Sequence, residues 1–171
     1  EALLMRAQLA KANNGLIGPN IYDQLFTVHG MTMIFWFIIP MTTGAFGNYF
    51  VPLMIGARDM AFPRLNALSF WVFLASGIFL YTGLFMGFGP NAGWFDYVPL
   101  ASRLYDPGPS IEFYALGLLF NGLASTLTAA NFIVTIFKCR APGMSFNRIP
   151  LFCFAQLAAS FGLLFALPAL S

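Results

Sequence analysis

Charge is scarce in this sequence. Eight of its 171 residues are Lys or Arg and six are Asp or Glu, 8% in all. A soluble domain carries about a quarter charged residues, so a water-facing shell all round is excluded. The eight basic residues lie scattered between apolar runs, which leaves nucleic-acid binding without support. There are two cysteines, Cys139 among basic loop residues and Cys153 inside an apolar run. Neither their spacing nor their setting suggests zinc or a disulfide, and both read as bystander thiols. The single histidine, His29, has no second imidazole in the chain to share a metal with.

Apolar side chains make up what remains: 59% of residues are hydrophobic and the mean hydropathy is +0.77. Runs this long and apolar are read as membrane-crossing helices of about 20 residues or more. The expected fold is all-α, a polytopic transmembrane helix bundle. Helices are predicted at about 1–10, 22–55, 65–88, 110–138 and 149–170, within one transmembrane domain over 1–171. Glu1 to Arg6 resembles the last turns of a helix and Leu163 to Ser171 carries no polar tail, so the chain is read as a piece of a longer protein. Pro40 has no N–H to give the carbonyl of Trp36, which predicts a kink there. Residues 11–21 are turn-rich, and 89–109, with Trp94, Asp96, Arg103 and Asp106, suit an ordered loop at the membrane surface.

Orientation follows from the basic residues. Arg58, Arg64, Lys138, Arg140 and Arg148 fall on one side; Arg6, Lys11 and Arg103 fall on the other, with Asp23, Asp96 and Asp106. By the positive-inside rule the first set is cytoplasmic, or faces the matrix. His29 then lies toward the outer face and Asp59, between Arg58 and Arg64, at the inner one. Thirty residues of helix between them would span roughly 45 Å at ~1.5 Å per residue, about a bilayer with its headgroups.

Polar groups inside a span are costly and face a neighbouring helix, water or a cofactor. Asn66 and Ser69 share a face three residues apart, and Asn121, Ser125, Thr128 and Asn131 fall within about a third of one helix circumference. With Asn48 they either line a water path rising from Asp59 or hydrogen-bond helix to helix. His29 is either a packing residue or a ligand, since neutral imidazole binds metals and haem iron. Asp59 is either a proton acceptor or a cap on the helix that follows. The residues alone leave these alternatives open.

The stretch His29-Gly30-Met31-Thr32-Met33, followed by Gly47-Asn48-Tyr49-Phe50-Val51-Pro52-Leu53-Met54-Ile55-Gly56-Ala57-Arg58-Asp59-Met60-Ala61-Phe62-Pro63-Arg64-Leu65-Asn66, resembles subunit I of the haem–copper oxidases, and within it the cytochrome c oxidase branch. Gly93-Trp94, Asn131-Phe132, Ala141-Pro142-Gly143-Met144-Ser145 and Pro150-Leu151-Phe152 agree. The resemblance covers nearly the whole chain, as the end of the first to most of the fifth of twelve helices. It implies His29 as an axial ligand of a low-spin haem A, Arg6 as donor to the haem formyl, Trp94 as donor toward a propionate and Tyr22 beside the same haem. It implies Asp59 as the mouth of a proton pathway, gated by Asn48 and Asn66 and continued by Ser69, Ser125 and Asn131. A high-spin haem and copper B belong to the full subunit and have no ligands in this chain, and no catalytic residue is assigned here.

Three departures stand out. Gln8 replaces a glutamate that binds calcium or sodium in many members, so no such site is assigned; Ala124 replaces one of a serine pair; Asn121 adds a polar group one turn earlier. The resemblance implies a proton-pumping respiratory oxidase that reduces oxygen to water with electrons from cytochrome c. Its partners would be the other helices of subunit I, subunits II and III, cytochrome c and membrane lipids. Arg58 after Gly56-Ala57 points to a bacterial inner membrane over the mitochondrial one. The alternatives are a quinol oxidase of the same superfamily and a non-catalytic ion-transporting bundle.

Overall fold

The computed structural model describes residues 1–170. They contain α1 (Ala2–Gln8), α2 (Pro19–Met31), α3 (Asn48–Ile55), α4 (Pro63–Phe85), α5 (Ser110–Lys138) and α6 (Leu151–Leu170), with no strand among the described residues. The fold is all-α. Four helical segments are long and apolar enough to cross a membrane: Pro19–Ile55, Pro63–Phe85, Ser110–Lys138 and Leu151–Ala169.

Helix starts follow local chemistry. α2 begins at Pro19 behind an extended Gly18, three residues before the predicted start. Proline at the first helical position needs no hydrogen-bond donor and already has the helical φ. α4 likewise begins at Pro63. α3 ends at Gly56, whose φ of +70° puts it in the left-handed region where glycine escapes the Cβ penalty.

Between α2 and α3, around Pro40, the helix widens. Thr32–Ile38 and Pro40–Gly47 form π-helical turns. The missing Pro40 donor disrupts the ordinary ladder, and hydroxyls serve the carbonyls nearby. Thr42 Oγ1 donates to Ile38 O at 2.9 Å and Thr43 Oγ1 to Ile39 O at 2.7 Å. Side-chain hydroxyls satisfy freed backbone groups in this way where lipid offers no partner.

The chain packs as two compact units. The first comprises Glu1–Phe37 and Gly77–Gly117. In it α1 packs along α2, Thr32 and Tyr81 join hydroxyls at 2.9 Å, and the Phe79 and Phe113 rings meet at 4.9 Å.

The second unit comprises Ile38–Ser76 and the chain from Leu118 onward. Its core is Val51, Ile55, Met60, Phe132, Ile136, Cys153 and Leu157. Gly47 lets helices close here: a Cβ on it would stand 2.7 Å from Phe132 Cζ and 3.1 Å from Gln156 Nε2. Small residues at such crossings are how membrane helices approach without hydrophobic driving force. Cys139 and Cys153 are both free, the second wholly buried.

Candidate functional site: an imidazole in one unit, an anchored carboxylate in the other

His29 lies on α2 in the last turn before the helix widens. Its Nδ1 stands 3.5 Å from Glu1 Oε2, with one third of the imidazole exposed. The pair is an ion pair only when the imidazole is protonated.

Trp94 stands beside the next residue. A Cβ on Gly30 would meet Trp94 Cβ at 3.5 Å, and the indole lies 6.3 Å from the Phe35 ring. The loop carrying Trp94 is fastened at two points. Gly93 N–H donates to Thr27 Oγ1 at 3.0 Å and Tyr114 Oη donates to Trp94 O at 2.7 Å; within the loop the neighbouring Phe95 ring lies 3.8 Å from the indole. Burial, and after it the charge of Asp106, raises the Asp96 carboxyl above its ordinary range. Asp106 itself accepts from Ser110 Oγ at the start of α5.

Of the residues read around His29, the structure brings Trp94 against α2 at Gly30. Arg6 is exposed on α1 and Tyr22 half-buried on α2. Gln8 is fully engaged: Nε2 donates to Asn14 O, and Oε1 accepts from Ile17 N at 2.9 Å. Its carboxamide braces the turn between α1 and α2.

Asp59 lies in the second unit, exposed on the loop between α3 and α4. Its Oδ1 accepts from Met60 N at 2.7 Å. Arg58 and Arg64 are exposed too; among the described residues the ion pairs are Glu1–His29 and Arg103–Glu112, so neither arginine neutralises Asp59. The loop itself is held. Met60 is 3% exposed and belongs to the core. Ala61 N donates to Thr135 Oγ1 at 2.9 Å, and Phe62 N donates to Asn131 Oδ1 at 3.0 Å.

The intramembrane polar residues divide by what they bond. Asn131 is fully buried and returns a second bond, Nδ2 to Phe62 O at 3.2 Å. Ser69 is buried and donates to Asn66 O at 2.8 Å. Asn48 Nδ2 donates to Gly44 O at 2.7 Å, while its Oδ1 is buried with no protein partner. That atom is the one to which a buried water would donate. Asn66 and Ser125 are half-buried.

Two residues with evident roles escaped the sequence reading. Glu1 reads in the sequence as part of a helix tail, although it is a carboxylate heading an apolar turn. Thr135 extends the Asn131 face by four residues, a spacing that marks one helix face.

Comparison with known proteins gives the family of the chain. All 171 residues match the family described as cytochrome c and quinol oxidase polypeptide I. The chain belongs to this family, that of the haem–copper oxidase subunit I. It is 45% identical over 170 residues to cytochrome c oxidase subunit 1 of Thermostichus vulcanus, covering 99% of this chain and 30% of that protein. It is 47% identical over 173 residues to cytochrome c oxidase subunit 1 of Bacillus sp. (strain PS3), covering 100% of this chain and 27% of the other. Quinol oxidase subunit 1 of Bacillus subtilis is 44% identical over 171 residues, with 100% and 26% covered. The chain thus spans less than a third of the length of these relatives.

The family implies haem and copper. Among the described residues no group of three His, Cys, Asp or Glu side chains converges, so the donor set does not fit copper. It fits one axial position on a haem iron: a partly exposed imidazole, one nitrogen beside a carboxylate, with an indole packed against the following residue.

Proposed function

We propose that this chain forms the low-spin haem side and the proton-entry side of a respiratory oxidase that reduces oxygen to water with electrons from cytochrome c and pumps protons. Haem A bound at His29 would supply one-electron transfer. The chain's own residues would do the rest. His29 would hold the iron, with Glu1 beside the imidazole, and Trp94 and Arg6 would donate to the haem periphery, with Tyr22 beside it. Asp59 takes up protons from the inner face, and Asn48, Asn66, Ser69, Ser125 and Asn131 carry or shape the path upward. Subunits II and III, cytochrome c and the remaining subunit I helices are the partners, in a bacterial plasma membrane.

The observation that carries this reading is His29 itself: a single intramembrane imidazole in a chain that matches the oxidase family from end to end, beside a carboxylate and one residue from the Trp94 contact. A His29→Ala change in the complete oxidase is expected to remove the low-spin haem bands from the reduced-minus-oxidised spectrum. Unchanged bands would overturn it, and would favour the ion-transporting bundle.

A second reading has its own support. Quinol oxidase subunit 1 of Bacillus subtilis is nearly as similar as the cytochrome c oxidases. Oxidation of reduced cytochrome c by the purified complex, with no turnover on a soluble quinol, supports the first; the reverse result supports the second.

A further inference from the structure

α6 carries a single carboxamide, Gln156, in an otherwise apolar stretch. The residue is 6% exposed, and its Nε2 is buried with no protein partner. A buried amide donor left unpaired is costly, so what it faces matters. Nε2 stands 3.1 Å from where a Cβ on Gly47 would lie, at the crossing where α6 packs on α3 and the π-helical turns before it. The Asn48 carboxamide lies back over the same turn, because its Nδ2 donates to Gly44 O at 2.7 Å. Its Oδ1 is a buried acceptor, also without a protein partner. A Cβ on Gly44 would meet nothing closer than Pro40 Cβ at 3.9 Å, so the glycines of this turn leave room above it.

We propose that Gln156 is a further residue of the proton path: with Asn48 it holds one buried water, which accepts from Gln156 Nε2 and donates to Asn48 Oδ1. The proposal rests on the reading of Asp59 and Asn48 as parts of that path. The two unpartnered atoms are complementary, one a donor and one an acceptor, and both belong to one helical turn and the helix packed on it. A single water serves both, as buried waters do for polar groups that protein leaves unpaired. Those two bonds use one proton and one lone pair of the water. They leave one of each for the next member of a chain, which is what passing a proton onward requires. α6 thereby joins α3, α4 and α5, which supply Asn48, Asn66 with Ser69, and Ser125 with Asn131. Leucine at 156 would fill much of the same volume and offer no donor, so the water would lose one of its two anchors.

The test uses the complete oxidase carrying Gln156→Leu, Gln156→Glu, Asn48→Ala, the Gln156→Leu, Asn48→Ala pair, or Asp59→Asn. Proton uptake from the inner face is followed with an indicator dye, and the low-spin haem spectrum serves as the check on assembly. Gln156→Leu is expected to slow uptake about fivefold, the rate equivalent of one lost hydrogen bond. Gln156→Glu, whose neutral carboxyl can donate in place of the amide, is expected to restore it. The double variant is expected to be no slower than Asn48→Ala alone, because both changes release the same water. Should the leucine variant fail to assemble, Gln156→Met removes the donor on an unbranched side chain. Wild-type uptake without the amide would overturn the proposal. So would equal slowing by leucine and glutamate, or losses that multiply in the double variant, since either would mean that Gln156 only packs. Unaltered uptake in Asp59→Asn or Asn48→Ala would instead overturn the reading of the path on which it rests.

Discussion

Both ends of the Asn131 carboxamide close on one peptide, that of Phe62: Oδ1 accepts its N–H at 3.0 Å and Nδ2 donates to its carbonyl at 3.2 Å. The partners are 69 residues apart in sequence, so this pair ties α5 to the start of α4. Asn131 therefore acts as a clamp between the two helices, with both functional atoms of its amide already engaged.

Replacing Asn131 with leucine removes both bonds at once and leaves the Phe62 backbone to water. Loss of two hydrogen bonds at a buried side chain is expected to cost on the order of 1–3 kcal/mol. The expected result is a lower thermal midpoint for the detergent-solubilised oxidase and faster amide exchange confined to residues 59–64. Asn131→Asp keeps one acceptor and is expected to fall between leucine and wild type.

Gly47→Ala is expected to destabilise by about 1–3 kcal/mol through overpacking. The new methyl would stand 2.7 Å from Phe132 Cζ, and Phe132 is 1% exposed, so the ring has nowhere to move. Shortening the ring in a Gly47→Ala, Phe132→Leu double variant is expected to recover part of the loss, measured as a non-additive change in thermal midpoint. Additive losses would mean that the two side chains do not collide.

At Gly30 the geometry predicts a graded response. The nearest Trp94 atoms lie 3.5 to 3.7 Å from a Cβ there, ordinary contact distances. Alanine is expected to be silent. Leucine is expected to push the indole away, seen as a shifted low-spin haem band and altered tryptophan fluorescence. A silent leucine variant would show that Trp94 does not depend on this contact.

The loop bearing Asp96 is expected to grow more stable as pH falls. Burial and the neighbouring Asp106 charge raise the Asp96 carboxyl when the loop is folded. Between the ordinary carboxyl range and that raised value the folded loop therefore binds more protons than the unfolded one, and stability declines with rising pH. Amide exchange at Asp96, whose N–H donates to Gly93 O at 3.1 Å, reads this out once corrected for the intrinsic pH dependence. Asp96→Asn is expected to flatten the profile.

Much of this was legible before any coordinates. The scarcity of charge and the length of the apolar runs required membrane-crossing helices, because a backbone in lipid must satisfy its own hydrogen bonds. Pro40 announced a disturbed helix, and the run from Gly47 to Asn66 carried the family. The form of the disturbance was not legible: the helix takes π-helical turns there, with threonine hydroxyls donating to the carbonyls.

The sequence by itself determined which segments are helical and where the imidazole and the carboxylate fall along them, since both follow from local pattern and composition. Only the tertiary structure decided what those groups touch: Glu1 at His29, Thr27 at the Trp94 loop, and Asn131 and Thr135 at the loop of Asp59. Each of these pairs except the first spans about 70 residues. No helical period encodes such separations; they are set when packed helices bring one residue's donor to another's acceptor.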